Sequence, residues 1–249
     1  MNGSYHLVWQ DDFNGHYLNL RNWNIEQHPP GWVNHELQRY TADRNNVFVA
    51  NSRLILQAKK YRGSDGKTHY TSGRVSTQWK RDFTYGRFEA RIRVPEGRGL
   101  LPAFWLMTTD ESVHGTWPRC GEIDIMEVLG HQPDATYGTI HYGIPHEQKQ
   151  KSLTLRHGYF SDDFHVFGLE WTPGCLRWLV DDVCYYVENN WFSTTEGREL
   201  LPFPAPFNHE FYIILNLAVG GDWPGNPDET TDFSNVRMEV DWVRVYQKN

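Results

Sequence analysis

Gly121-Glu-Ile-Asp-Ile-Met-Glu-Val128 sets three carboxylates, Glu122, Asp124 and Glu127, among Ile123, Ile125 and Val128. Apolar residues at alternate positions indicate a half-buried β-strand. Strict alternation places Cys120, Glu122 and Asp124 on one face, with Met126 next, and turns Glu127 into the core. A lone buried carboxylate is expensive. One extra residue, a β-bulge around Ile125-Met126, is therefore expected to return Glu127 to the acidic face. Like charges side by side on a sheet repel and raise each other's pKa. Chemistry that needs one carboxylate ionised and another protonated is a reason to keep them together. The competing reading, a solvated edge strand, is disfavoured by the flanking Trp117 and the surrounding apolar runs.

Outward from this strand, short apolar or alternating runs recur between turn signals. They include Tyr5–Trp9, Asn46–Ala50, Arg53–Gln57, Gly86–Val94, Tyr137–His141, Val166–Trp171, Leu176–Val180, Glu210–Leu217 and Met238–Tyr246. Turn material such as Pro95-Glu-Gly-Arg-Gly99 and Thr172-Pro-Gly174 separates them. This rhythm predicts an antiparallel all-β sandwich or barrel. Ser193–Leu200 is expected to form at most one helical turn, because Pro202, Pro204 and Pro206 stop anything longer. The first and last runs look equally strand-like, so residues 1–249 are read as one domain closed by both termini.

With 24 basic and 31 acidic residues and no basic run, nucleic acid is not an expected partner. The runs Leu100–Met107 and Phe211–Leu215 fall far short of the roughly 20 residues of a membrane helix. No leader is visible at Met1. Cys120, Cys175 and Cys184 lack metal-ligand spacing. A two-residue turn at Asp181-Asp182 would pair Leu179 with Cys184 and set Cys175 opposite Glu188, so all three are expected to be free thiols. The 11 Trp, 13 Tyr and 13 Phe exceed what a core requires, and beside carboxylates they suggest flat faces for sugar rings.

Two glutamates four strand steps apart have backbones about 13 Å apart, with side chains leaning closer. Such a pair can flank a glycosidic bond. A carboxyl gap of about 5–5.5 Å would mean retention and one of about 6.5–9.5 Å inversion. Asp124 between them can set which neighbour is ionised. Trp223, in Gly220-Gly-Asp-Trp-Pro-Gly225, sits on a loop with no core to join and is expected to be a stacking platform. His141 shares a strand face with Tyr137 and Thr139.

The acidic segment resembles the signature of glycoside hydrolase family 16, in the laminarinase form that carries the extra residue. The resemblance extends nearly end to end, through Trp9–Gly15, Asn34-His-Glu-Leu-Gln-Arg-Tyr40, Thr71–Val75, Tyr85–Arg91, Leu101–Leu106, Phe164–Phe167, Asn216–Gly225 and Asp241–Tyr246. It implies a two-sheet antiparallel jelly-roll β-sandwich with a concave cleft. It also implies a retaining, extracellular endo-β-1,3-glucanase acting on laminarin-like β-glucan; a monomer is the default expectation. Mixed-linkage glucan or an algal galactan is the alternative substrate, and a glucan-binding, lectin-like module the alternative class.

Carried onto this chain, Glu122 matches the nucleophile, Glu127 the acid/base and Asp124 the assisting carboxylate. Trp105 and Trp117 match aromatics of the catalytic subsite, with core packing as their alternative, and His141 matches a cleft histidine. Asn34 and Glu36 resemble a sugar-binding loop. Arg74 is expected either to meet sugar hydroxyls or to hold the ionised nucleophile. Cys120 is expected on the acidic face, within reach of a mercurial or oxidant. No catalytic metal is implied. A structural calcium is, on Asp12 and Asp241 with a carbonyl of Ser52 or Arg53, although Asp12 stands where relatives usually carry glutamate.

Overall fold

The alternating runs become strands within a residue or two of where periodicity puts them: Tyr5–Asp11, Val47–Val49, Leu54–Gln57, Gly86–Arg93, Ala135–Tyr142, His165–Thr172, Cys175–Val180, Phe211–Val219 and Arg237–Lys248. The computed structural model describes residues 4–248, and among them there is no helix. Two eight-stranded antiparallel sheets form a jelly-roll sandwich. The inner sheet runs in the order Glu147–Thr154, Ala135–Tyr142, Glu122–Glu127, Leu100–Thr108, Phe211–Val219, Arg74–Ser76, Asn24–Ile25, and Asp82–Phe83 also pairs with Phe211–Val219. The outer sheet runs Val183–Glu188, Cys175–Val180, His165–Thr172, Gly86–Arg93, Arg237–Lys248, Leu54–Gln57, Val47–Val49, and Tyr5–Asp11 also pairs with Arg237–Lys248.

Side chains of the two sheets meet in one apolar layer. Phe88, Phe104, Phe167, Trp171, Trp178 and Phe211 are fully buried there. The strand Phe211–Val219 is buried along its whole length. Its inward face joins the core, while its outward face carries Tyr212, Ile214 and Asn216 beneath the acidic side of the sheet.

Four local features depart from the sequence reading. Ser193–Leu200 forms no helical turn; Thr194 and Leu200 make an isolated antiparallel bridge. Glu147–Thr154 is a strand despite its polar run, because it lies at the sheet edge with one neighbour and faces water. A third sheet of Gln38–Tyr40, Thr68–Ser72 and Lys59–Arg62 contains a parallel pair. In the hairpin at Asp181-Asp182 both residues have positive φ, 48° and 65°, as a type I′ turn requires. Leu179 does face Cys184, but an irregularity then brings Leu176, not Cys175, opposite Glu188. All three cysteines are free.

Outer and inner sheets are tied together at the acidic strand. The buried Trp178 indole donates its N–H to the backbone carbonyl of Asp124 at 2.7 Å. Gly138 permits this approach, since a Cβ there would lie 2.5 Å from the indole ring. Trp178→Phe would leave that buried carbonyl unpaired, at a cost of about 1–3 kcal/mol. We expect urea unfolding to show this loss together with a fall in kcat; an unchanged midpoint would mean that the bond does not hold the strand.

Candidate active site

The acidic strand carries the extra residue its sequence demands. Met126 pairs with Phe104 and Asp124 with Trp105, which leaves Ile125 over. On the other side Asp124 faces Thr139 and Glu127 faces Tyr137. Ile125 and Met126 are both buried in the core, and Glu127 is returned to the face of Glu122 and Asp124. A carboxylate facing the apolar core is avoided by a single residue of backbone slack.

His141 pairs with Glu122 across the sheet. Its Nε2 lies 3.3 Å from Asp124 Oδ2 and 3.8 Å from Glu122 Oε1. Its Nδ1 lies 2.9 Å from Nε2 of His146. Burial opposes an imidazolium here, but contact with Asp124 and the charges of Asp124 and Glu122 win, pushing His141 up to about 9.

The two glutamates differ in their surroundings. Burial, then the Asp124 charge, push the Glu122 carboxyl up to about 8, while His141, the Trp117 side chain through a hydrogen bond, and Arg74 pull it down. Burial, then Asp124, then Glu122 hold the Glu127 carboxyl well above the usual range, and only a hydrogen bond with Thr139 opposes them. With no cation of its own, Glu127 is the better holder of a proton, and Glu122 the better carboxylate. Such a face ranks its two glutamates, with Glu127 the one that gives up its proton last.

Trp117 is 45% exposed and its ring centre lies 6.1 Å from that of His141. Trp223 is 40% exposed and stands edge-on to Tyr137, the cross-strand neighbour of Glu127. Trp105 is half-buried and its indole donates to Asn216 Oδ1 at 2.7 Å. The loop holding Asn34 and Glu36 leans on the Trp223 loop, with the Asp222 N–H donating to the Asn34 carbonyl at 3.0 Å. Glu36 accepts from Gln38 Nε2 at 2.6 Å.

Arg74 does not clasp the nucleophile candidate. Its Nε donates to Glu26 at 2.5 Å and its guanidinium lies against the rings of Trp105 and Trp32. Glu26, Asn216, Trp32 and His146 are additions to the residues read from sequence. Glu26 and Asn216 flank apolar strand residues, and only sheet order brings them to Arg74 and Trp105. Cys120 is fully buried and its thiol is pushed up to about 12, chiefly by burial, so it is not the accessible thiol expected on the acidic face.

The residues expected around calcium are occupied otherwise. Asp241, the extra residue where Arg237–Lys248 shifts register, accepts from Arg91 at 2.6 Å, with Arg53 Nε 4.0 Å away. Asp12 accepts from Arg244 at 3.2 Å. Ser52 lies in a left-handed turn. Each of the two carboxylates thus has an arginine partner, a setting that does not suit a divalent cation.

Paired glutamates on one sheet face, rimmed by exposed tryptophans, are the equipment that glycoside hydrolysis needs. Residues 34–244 match the model for glycosyl hydrolases family 16. The chain is 38% identical to a glucan endo-1,3-beta-glucosidase of Cryptopygus antarcticus, over 99% of this chain and 94% of that protein. It is 39% identical to a beta-glucanase of Rhodothermus marinus, over 97% of this chain and 85% of that one. The X-ray structure of the Rhodothermus marinus laminarinase is similar with a TM-score of 0.85 at 36% identity, covering 100% of both chains. The chain belongs to glycosyl hydrolase family 16.

His141 stabilises the ionised form of Glu122, so its removal leaves that carboxyl protonated to higher pH. In His141→Gln the acid limb of the kcat/KM profile is expected to move up by about 1 pH unit or more. An unmoved limb would contradict this electrostatic role.

Proposed function

We propose that this enzyme is a retaining endo-β-1,3-glucanase that cleaves laminarin-type β-glucans by double displacement. The observation that carries the reading is the asymmetry of two glutamates on one strand face: Glu122 has an imidazolium 3.8 Å away, and Glu127 faces no cation. Glu122 attacks the anomeric carbon while Glu127 gives its proton to the departing glycosidic oxygen. Glu127, now ionised, takes a proton from water. That water attacks the same carbon and frees Glu122. Asp124 keeps His141 charged and oriented between the two steps.

Sugar rings stack on Trp117 and Trp223, with Trp105 beneath the reacting ring, and Asn34, Glu36 and Arg74 meet hydroxyls beside it. The chemistry requires no metal. The β-1,3 preference rests on the likeness to the Cryptopygus glucan endo-1,3-beta-glucosidase and the Rhodothermus laminarinase. A polymer of this kind is met outside the cell, so secretion belongs to the same reading, with the enzyme acting as a monomer.

Glu122→Ser is expected to lower reducing-sugar release from laminarin by about a thousandfold or more. Release at the wild-type rate would remove Glu122 from the reaction. Product analysis across laminarin, barley β-glucan, agarose and carrageenan fixes the linkage, with laminarin expected to be cleaved fastest. The first product, followed by NMR, is expected as the β-anomer; early α-anomer would rule out double displacement.

A further inference from the structure

The acid-and-histidine cluster has a second chemical capability that hydrolysis does not use. Ligand atoms of Glu122, Asp124 and His141 all lie within 4.8 Å of one another. His141 Nε2 stands 3.3 Å from Asp124 Oδ2 and 3.8 Å from Glu122 Oε1. A tetrahedral ion with bonds of about 2.1 Å places its ligand atoms about 3.4 Å apart.

Two further observations point to a ligand. Asp124 is 3% exposed, and its buried Oδ2 accepts no aligned hydrogen bond. On the far side of the His141 ring, Nδ1 meets His146 at 2.9 Å. Metal-bound histidines use such an outer partner to fix the tautomer that leaves the other nitrogen for the metal.

We propose that Glu122, Asp124 and His141 form a reversible inhibitory site for a Zn2+-type transition-metal dication. Its fourth position opens on the cleft. An imidazole in a cage of three protein ligands suits zinc and excludes calcium, which needs six or more oxygens. On binding, the imidazolium loses its Nε2 proton to solvent and that nitrogen's lone pair goes to the metal, while Nδ1–H stays on His146. No electron changes hands. The negative surroundings that favour a proton on His141 act on a dication with twice the charge. The ion ties up the Glu122 carboxylate and occupies the ground of the reacting sugar, so metal and substrate exclude one another.

Isothermal calorimetry of ZnCl2 into the folded enzyme tests this. We expect one zinc per chain, with affinity lowered at least a hundredfold in His141→Gln and Asp124→Asn. His146→Ala should weaken it about 10–100-fold. Mg2+ should give no heat. In steady-state assays zinc should raise KM at constant kcat, with EDTA restoring the original value. The two-residue pairs His35–Asp222, His69–Asp65 and His165–Asp181 are the competing surface sites. Zinc affinity unchanged in His141→Gln would assign the metal to them and overturn the proposal. So would absence of wild-type heat at millimolar metal. The direct titration needs no turnover, so its failure is distinguishable from failure of the glucanase reading.

Discussion

A single unpaired residue, Ile125, decides which way Glu127 points, and the chemistry of the cleft follows from that direction. Without it the strand would turn that carboxylate into the apolar core and send Met126 to the acidic face. The slack is held from below. The indole of Trp178, on the opposite sheet, fixes the carbonyl of Asp124 immediately before the irregularity. Gly138, on the neighbouring strand, leaves room for that indole. Position of the acids is therefore set by core packing between two sheets, which moves far less than a loop would.

The same geometry creates the electrostatic problem that the proposed catalysis exploits. Three carboxylates on one partly buried face cannot all be ionised at modest cost. Cationic help is distributed unevenly. His141 stands beside Asp124 and Glu122, and Trp117 adds a hydrogen bond to Glu122 alone. Glu127, at the other end of the strand, has neighbours in Tyr137, Thr139 and Ala103. The proton accordingly settles there. Arg74 is paired with Glu26 and packs between the rings of Trp32 and Trp105.

The sandwich and the acidic face were legible because burial on one side of a sheet writes a two-residue period into the chain. The bulge was legible for the same reason: a break in that period at a carboxylate admits few physical solutions. Elements without the period were lost. Glu147–Thr154 is polar along its length, since an edge strand over water needs no apolar face. The hairpin shift near Tyr185 left no trace in a run whose two faces are both partly covered. Partners far apart in sequence were equally hidden. Glu26 meets Arg74 across 48 positions, and the arginines that hold Asp12 and Asp241 are brought there by strand register.

The asymmetry between Glu122 and Glu127 is the central claim, and it is directly observable. Carbon-13 NMR titration of the side-chain carboxyls, with the two signals assigned by single substitutions to glutamine, reads each protonation state in the resting enzyme. Glu127 should keep its proton to higher pH than Glu122. A reversed order, or two carboxyls that both ionise in the ordinary glutamate range, would contradict the account.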